Sequence, residues 1–166
     1  MMSATVLKPE MEVDIGISEE HRKQIAEGLS RILADTYFLY LKSQNYHWNV
    51  TGKLFNPLHE MFQEHYEDMA QAIDDIAERI RTLGYYSPGT FKQFAELTSI
   101  KEDSDIPDAE DMIRNLVHAH ETVLKTLRAV LPACNDAEDE ATLDLVTGRL
   151  DFHSKTAWML RSHLNE

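Results

Sequence analysis

Four side chains of types that bind transition metals stand at helical spacings in the first half of the sequence. Two are histidines, His47 and His59, which lie 12 residues apart. Two are carboxylates, Asp74 and Glu78, and their four-residue spacing puts both on one face of a helix. Two neutral imidazoles and two carboxylates suit Fe(II) and also accept Zn(II), Mn(II) or Co(II). The chemistry open to these residues is therefore the binding of a divalent transition metal.

The spacing along the second predicted helix decides whether one chain can hold such an ion. His59 and Asp74 are 15 residues apart, which on a helix separates them by about 22 Å. A site containing all four ligands must therefore be assembled between two chains, across a two-fold contact that generates two equivalent sites. The alternative is structural. The histidines would then be polar residues at helix ends, and the carboxylates would pair with Arg79, Arg81 or water.

The other histidines argue against a di-iron site within one chain. Such a site in a four-helix bundle requires Glu-x-x-His from each of two helices. No glutamate stands three positions before any of the eight histidines. His120 and His153 fall on apolar helical stripes and are predicted to be core residues with a hydrogen-bond partner. The histidines that have no partner at a ligand spacing are His21, His65, His118 and His163.

Apolar residues that recur at steps of three and four predict four long helices. The predicted ranges are 18–46, 57–83, 108–132 and from 137 nearly to the C-terminus. Asn56 is the predicted N-cap of the second helix, with Pro57 at its first position and Gly84 just after its end. Asp108 is the predicted start of the third helix, and Pro132 is its predicted end.

The connections between these helices predict how they are arranged. Short connections of about eight and about five residues make helices one and two, and helices three and four, antiparallel hairpins. More than twenty residues join the hairpins, and Phe91, Phe94 and Leu97 indicate a short helix among them. One long crossover between two hairpins is typical of a ferritin-like four-helix bundle. We therefore predict an all-α ferritin-like domain over residues 18–166, preceded by a short, acidic, mobile arm at residues 1–17.

Composition limits the environment and the partners of the chain. It has 166 residues and a formal net charge of -13, which disfavours sequence-independent binding to DNA or to anionic lipid. Its single cysteine, Cys134, excludes an intrachain disulfide. No apolar run approaches the roughly 20 residues of a membrane span, and the first 17 residues lack the apolar core of a signal peptide. We therefore expect a cytoplasmic protein.

The residues around the four candidate ligands resemble those of the Dps family, the DNA-binding proteins from starved cells, which are also called miniferritins. The combined spacing of 12, 15 and 4 is specific, whereas an isolated His-Trp or Asp-x-x-x-Glu would be weak. The resemblance covers most of the chain beyond residue 20. The segments that carry it are LKSQNYHWNVTG at 41–52, F at 55 with LHE at 58–60, IDDIAERI at 73–80, PG at 88–89 and KTAWM at 155–159.

This resemblance implies a homo-oligomer, a hollow dodecamer with ferroxidase sites at its two-fold interfaces. His47 and His59 would bind Fe(II) from one subunit, and Trp48 would pack nearby. Asp74 and Glu78 would complete the site from the mate. The implied activity is oxidation of Fe(II) to Fe(III), preferably by hydrogen peroxide rather than O2, with storage of ferric mineral and protection against oxidative stress. Zn(II) or another divalent metal could substitute for iron. The alternative is a non-enzymatic shell that protects DNA or is only structural.

The sequence departs from the family pattern at two places. Gln63 stands where many relatives carry Asp or Glu, so a second iron is expected to be held weakly, through water, or with help from Glu60 or Glu64. Members that condense DNA usually do so with basic terminal extensions, but here the N-terminal arm is acidic and the chain ends in Asn165-Glu166. We therefore expect weak DNA binding or none.

An acidic cluster lies near the start of the fourth helix. Solvated carboxylates that favour the positive end of the helix dipole explain most of such a cluster. In the resembled family this region lines negatively charged three-fold pores, which would concentrate Fe(II). The candidate pore residues are Asp136, Glu140 and Asp144.

Overall fold

A computed structural model of the chain describes residues 12–164, and within this range the fold is built from five α-helices. They are α1 (Glu19–Asn49), α2 (Phe55–Thr82), α3 (Phe91–Leu97), α4 (Ala109–Asp136) and α5 (Glu140–Arg161). α1 packs against α2 and α4, α4 packs against α5, and α3 packs against α1. The four long helices, the two hairpins and the short crossover helix are therefore confirmed. Residues 1–11 of the predicted arm and residues 165–166 lie outside the described range.

Two of the predicted helix starts are confirmed by capping hydrogen bonds. The Ser18 hydroxyl accepts a hydrogen bond from the backbone N–H of His21 at the start of α1. The Asp108 carboxylate accepts one from the backbone N–H of Asp111 at the start of α4. Each cap satisfies a backbone donor that has no partner within the helix.

The start of α2 differs from the prediction, which placed the N-cap at Asn56. The helix begins at Phe55, with Leu54 as N-cap and no side-chain capping bond. The chain turns at Gly52, whose φ of +105° favours glycine, and the Phe55 N–H then donates to the Gly52 carbonyl at 3.1 Å. Pro57 is consequently the third helical residue, where its missing N–H still costs no helical hydrogen bond.

The turn between α4 and α5 also corrects the prediction. α4 does not end at Pro132 but continues to Asp136, because the Ala137 N–H still bonds the Ala133 carbonyl at 3.1 Å and buried Cys134 packs the last turn into the core. α5 begins at Glu140 rather than near Ala137, which is the C-cap of α4. Asp139 is the N-cap of α5, and its side chain accepts from the backbone N–H of Thr142.

A buried carboxylate holds the crossover to the bundle. Asp35 on α1 is fully buried. It accepts hydrogen bonds from the Thr98 hydroxyl at 2.8 Å, the Ser99 backbone N–H at 2.6 Å and the Thr126 hydroxyl of α4 at 2.6 Å. One side chain thus ties α1, α4 and the segment after α3 together. No helix among the described residues is both long and apolar enough to cross a membrane.

Replacing this carboxylate should loosen the crossover. Asp35→Ala removes the buried acceptor of three hydrogen bonds that join α1 to α4 and to the crossover, so we expect a loss of about 2–4 kcal/mol in the free energy of unfolding. Chemical denaturation measures it, with Asp151→Ala, an exposed carboxylate on α5, as the control expected to change stability by less than about 0.5 kcal/mol. Equal stability of the two variants would show that Asp35 does not hold the crossover.

Candidate metal centre

The first hairpin brings His47 and His59 together. His47 lies in the last turn of α1, and His59 is the fifth residue of α2. Their rings stack face to face, with centroids 3.7 Å apart and planes 16° from parallel. His47 is buried, whereas His59 is half-buried. The two candidate imidazoles of one chain thus lie side by side.

Each imidazole is oriented by the backbone of the other histidine. His47 Nδ1 lies 2.7 Å from the His59 carbonyl oxygen, and His59 Nδ1 lies 2.7 Å from the His47 carbonyl oxygen. A carbonyl oxygen only accepts, so both Nδ1 atoms must carry the proton and donate. In a neutral ring, Nε2 is then the atom with a free lone pair. Histidines that bind metals commonly use their second ring nitrogen in this way.

Two more aromatic rings restrain the histidine pair. Phe55 stacks on His59 at 5.1 Å between centroids, with planes 25° apart. Tyr66, two turns after His59 on α2, places its ring edge against His47 at 5.3 Å and 77°. These contacts and the reciprocal hydrogen bonds fix the rings before any ion arrives, as a precise binding site requires.

A polar network anchors the end of α1 directly before His47. The Tyr46 hydroxyl donates to Asp103 at 2.5 Å, and the Lys42 ammonium pairs with the same carboxylate at 2.8 Å. Asn115 donates to the Tyr46 oxygen at 3.1 Å. Burial, together with the Asp103 carboxylate, raises the pKa of Tyr46 well above its usual value. No local sequence pattern predicts the roles of Asp103 and Asn115, because they lie 57 and 69 residues from Tyr46 along the chain.

The two candidate carboxylates lie far from the histidine pair of their own chain. The described side chains of Asp74 and Glu78 are exposed, and neither forms a hydrogen bond or ion pair with another described residue. Arg79 instead pairs with Asp139 at 2.7 Å, and Arg81 bonds the Tyr85 carbonyl. Among residues 12–164, the hydrogen bonds of these two arginines therefore lead to Asp139 and Tyr85 rather than to Asp74 or Glu78.

The separation along α2 leaves each ligand set incomplete. The 15 residues from His59 to Asp74 span about 22 Å of continuous helix. Among residues 12–164 of one chain, no three His, Cys, Asp or Glu side chains are arranged to hold a metal ion. One chain thus offers two imidazoles at one place and two carboxylates at another.

The residues considered as auxiliary ligands lie near the histidine pair along α2. Gln63 is half-buried, and its side-chain amide donates to Glu67 at 2.7 Å. Glu60 and Glu64 are exposed. Trp48, which the resemblance placed beside the site, has 61% of its surface exposed in the single chain.

The acidic cluster separates into surface and buried members. Asp136, Glu140 and Asp144, the candidate pore residues, are all exposed. Asp139 is instead buried and accepts from the Arg79 guanidinium at 2.7 Å. Burial works to raise the pKa of Asp139, but hydrogen bonds from Thr142 and the Arg79 charge outweigh it and hold that pKa below its usual value. Asp139 therefore has a structural role that the sequence cluster did not reveal.

Comparison with known proteins agrees with the fold. The family model described as a ferritin-like domain matches residues 26–166. A low temperature-induced protein of Nostoc is 41% identical over 154 residues, which cover 92% of this chain and 86% of that protein. DNA protection during starvation protein 2 of Bacillus anthracis is 38% identical over 144 residues, covering 87% of this chain and 99% of the relative.

A solved structure supports the same assignment. The Dps protein of Vibrio cholerae O1, described as a member of a broad superfamily of ferritin-like diiron-carboxylate proteins, superimposes with a TM-score of 0.88. It is 30% identical and covers 95% of this chain and 100% of its own. The fold is thus that of a ferritin-like protein, with one short helix in the long crossover. Within that class, the chain belongs to the Dps, or miniferritin, family.

The reciprocal hydrogen bonds predict one tautomer for both candidate ligands. In metal-free protein above pH 7.5, solid-state ¹⁵N NMR should show the Nδ1–H tautomer of His47 and His59, with Nε2 unprotonated. The reason is that a carbonyl oxygen accepts a hydrogen bond from each Nδ1. Exposed His118 provides the reference for an unrestrained ring. An Nε2–H tautomer at either position would contradict the two Nδ1–H···O=C hydrogen bonds.

Proposed function

We propose that this protein oxidises Fe(II) to Fe(III), preferably with hydrogen peroxide, at sites shared between two subunits, and stores the ferric product in a hollow shell. The observation that carries the proposal is the stacked His47–His59 pair, whose Nδ1 atoms are occupied by carbonyl oxygens and whose Nε2 atoms keep free lone pairs. The substrate Fe(II) accepts imidazole nitrogen and carboxylate oxygen together, and Zn(II) is the expected substitute.

The mate supplies what one chain lacks. Asp74 and Glu78 lie one helical turn apart, so they present two carboxylates from one face of α2. A two-fold contact that brings this face onto the histidine pair of the partner completes two equivalent sites at once. Carboxylates favour Fe(III) over Fe(II) because of the higher charge, so this ligand set assists the oxidation. Gln63, Glu60 and Glu64 are the side chains available to a second iron.

Two irons at one site allow peroxide to be reduced in a single two-electron event. The balanced reaction is 2 Fe(II) + H2O2 + 2 H2O → 2 FeO(OH) + 4 H⁺. Each Fe(II) gives one electron, the O–O bond breaks, and both oxygen atoms are reduced to the level of water and enter the ferric oxyhydroxide product or exchange with water. No hydroxyl radical is released, which would protect the cell from oxidative damage.

Assembly and charge fit this activity. The named Dps relatives support a homo-oligomer, and we propose the dodecameric shell of the family. Exposed carboxylates near the start of α5 would attract Fe(II) towards the shell, because fields of one sign raise the local concentration of the opposite ion. The residues proposed for these pores are Asp136, Glu140 and Asp144.

Removing the histidine pair should abolish the catalysed reaction. Anaerobic protein mixed with Fe(II) and then peroxide is followed by ferric absorbance. We expect His47→Ala/His59→Ala to oxidise Fe(II) about tenfold more slowly or worse, because the remaining carboxylates bind the ion weakly. His118→Ala/His163→Ala, which removes two histidines outside the pair, should match the wild type. An unchanged rate in the first variant would show that the assigned site is wrong.

A mixing experiment tests whether the site is shared. Assemblies of His47→Ala/His59→Ala alone and of Asp74→Ala/Glu78→Ala alone should both be inactive. When the two variants are refolded together at equal amounts, half of the two-fold pairs are mixed, and each mixed pair has one intact site. We therefore expect about a quarter of the wild-type rate. No recovery in assemblies proven to be mixed would show that the histidine pair and the two carboxylates do not form one shared site.

DNA protection is the second candidate function, because relatives in this family carry that name. The net charge of -13 opposes it. We expect no gel shift of duplex DNA at about 150 mM salt, since net repulsion leaves no counterion release to drive binding. The same protein with a lysine-rich extension is the positive control. Retained binding at that salt concentration would support the DNA-protecting shell instead.

A further inference from the structure

Two histidines on different helices form a direct contact in the core. His120 on α4 and His153 on α5 are both fully buried, and their Nδ1 atoms lie 2.9 Å apart. The ring centroids are 5.0 Å apart. A nitrogen–nitrogen contact at this distance is a hydrogen bond with one proton between the two atoms. This hydrogen bond joins α4 to α5, the two long helices of the second hairpin, near the middle of α5.

The proton count of this pair permits only the neutral form. One ring donates from Nδ1, and the other accepts at Nδ1 and carries its own proton at Nε2. Both Nε2 atoms are buried and have no hydrogen-bond partner among residues 12–164. An added proton would either place two N–H groups against each other at Nδ1 or create a buried imidazolium whose Nε2–H groups face no acceptor. Both outcomes put an unpaired charge in the core.

The surrounding groups also oppose a positive charge. His65 of α2 lies 6.0 Å from the His120 ring between centroids, and Arg149 of α5 lies over Phe152 beside the pair. The nearby carboxylate, Asp68 of α2, is bonded to Arg149 at 2.7 Å. Burial, followed by the neighbouring cationic groups, holds the pKa values of both paired histidines well below the usual value.

The remaining carboxylates on the packed helices are directed elsewhere. On α1, the buried Asp35 is occupied by Thr98, Ser99 and Thr126. On α4, Glu121 pairs at the surface with Arg161 at 2.7 Å. No described carboxylate therefore hydrogen-bonds to the histidine pair.

We propose that the His120–His153 contact is an acid-sensitive link that releases the C-terminal half of α5, residues 150–161, from α4 when the pH falls below about 6. Proton uptake from solvent is favoured once the rings separate and become hydrated. The closed pair cannot accept a proton, whereas the separated rings can. A lower pH therefore shifts the equilibrium towards the open state. The His47–His59 pair stays in place, because it belongs to the other hairpin.

The two ends of α5 are held by different interactions, which confines the release to one half. Near its start, buried Asp139 pairs with Arg79, and Arg149 pairs with Asp68. Hydrogen bonds from Thr142 and the Arg79 charge outweigh burial and hold the pKa of Asp139 below its usual value, so the contact near the start of α5 persists at a pH that protonates a hydrated histidine. Beyond residue 153, the ion pair of Arg161 and Glu121 is about half exposed on both sides and adds little.

The sign and steepness follow from proton linkage. The closed state keeps both histidines neutral, whereas in the open state they titrate near the ordinary value of about 6.5. Opening is therefore unaffected above that pH and becomes more favourable below it. Each histidine contributes up to about a tenfold rise in the opening constant per pH unit, so the pair contributes up to about a hundredfold.

Hydrogen-exchange mass spectrometry of the full-length, iron-free protein between pH 7.5 and 4.5 tests this proposal. After correction for the intrinsic pH dependence of exchange, we expect peptides from 150–161 to lose protection below about pH 6, well before peptides from 140–149 or α2. His120→Leu/His153→Leu replaces both rings by apolar groups of similar volume and should flatten this dependence. His118→Gln, on the exposed side of α4, should behave as wild type.

Two results would overturn the proposal. One is wild-type protection of 150–161 that stays constant down to pH 4.5 or is lost together with the whole bundle. The other is an unchanged pH dependence in the double variant. If that variant does not fold, the wild-type profile still decides, because its steepness must exceed the tenfold per pH unit of a single histidine. No iron is used, so the outcome is independent of the ferroxidase proposal.

Discussion

The reciprocal hydrogen bonds between His47 and His59 are the interaction on which the candidate site depends. Each ring is held by the backbone of the other residue, so the geometry needs both helix ends in register. The turn at Gly52 sets that register, and the Tyr46–Asp103 bond anchors α1 just before it. Because the donors are fixed at Nδ1, the only free lone pairs are at Nε2. The hairpin therefore presents two Nε2 lone pairs in one place, which is the arrangement that the proposed metal site needs.

The uninterrupted helix α2 is the second constraint on the candidate site. A helix cannot bring residues 15 positions apart to one ion. Because His59 and Asp74 both lie on α2, a site that contains both types of ligand requires a second chain. The stability of the fold and the proposed activity therefore depend on different contacts. The single chain has its own core, whereas the proposed activity belongs to the contact between two chains. Exposed Asp74 and Glu78 are consistent with this separation, because neither is needed within its own subunit.

The sequence predicted local features better than long-range ones. The helices, the crossover helix and the four candidate ligands could be identified because their signals repeat every three or four residues or lie at fixed spacings along one helix. The start of α2 and the passage of α4 through Pro132 were missed, since a preceding turn and a buried cysteine outweighed the local capping signals. The partners of Asp35 lie 63 to 91 residues away, and no periodic pattern encodes such a contact.

The buried polar groups explain how an acidic chain can keep most of its negative charge for function. Asp35 and Asp139 are buried as carboxylates, and each is satisfied by several donors. His120 and His153 are instead neutral, because burial holds their pKa values well below the usual value, and their Nε2 atoms have no hydrogen-bond partner among the described residues. Among the described residues, Asp35 and Asp139 are the only acidic residues that are buried. Most of the surplus lies on exposed helix faces, where carboxylates attract divalent cations and repel nucleic acid. The same charge distribution supports the proposal of iron rather than DNA as the partner of this chain.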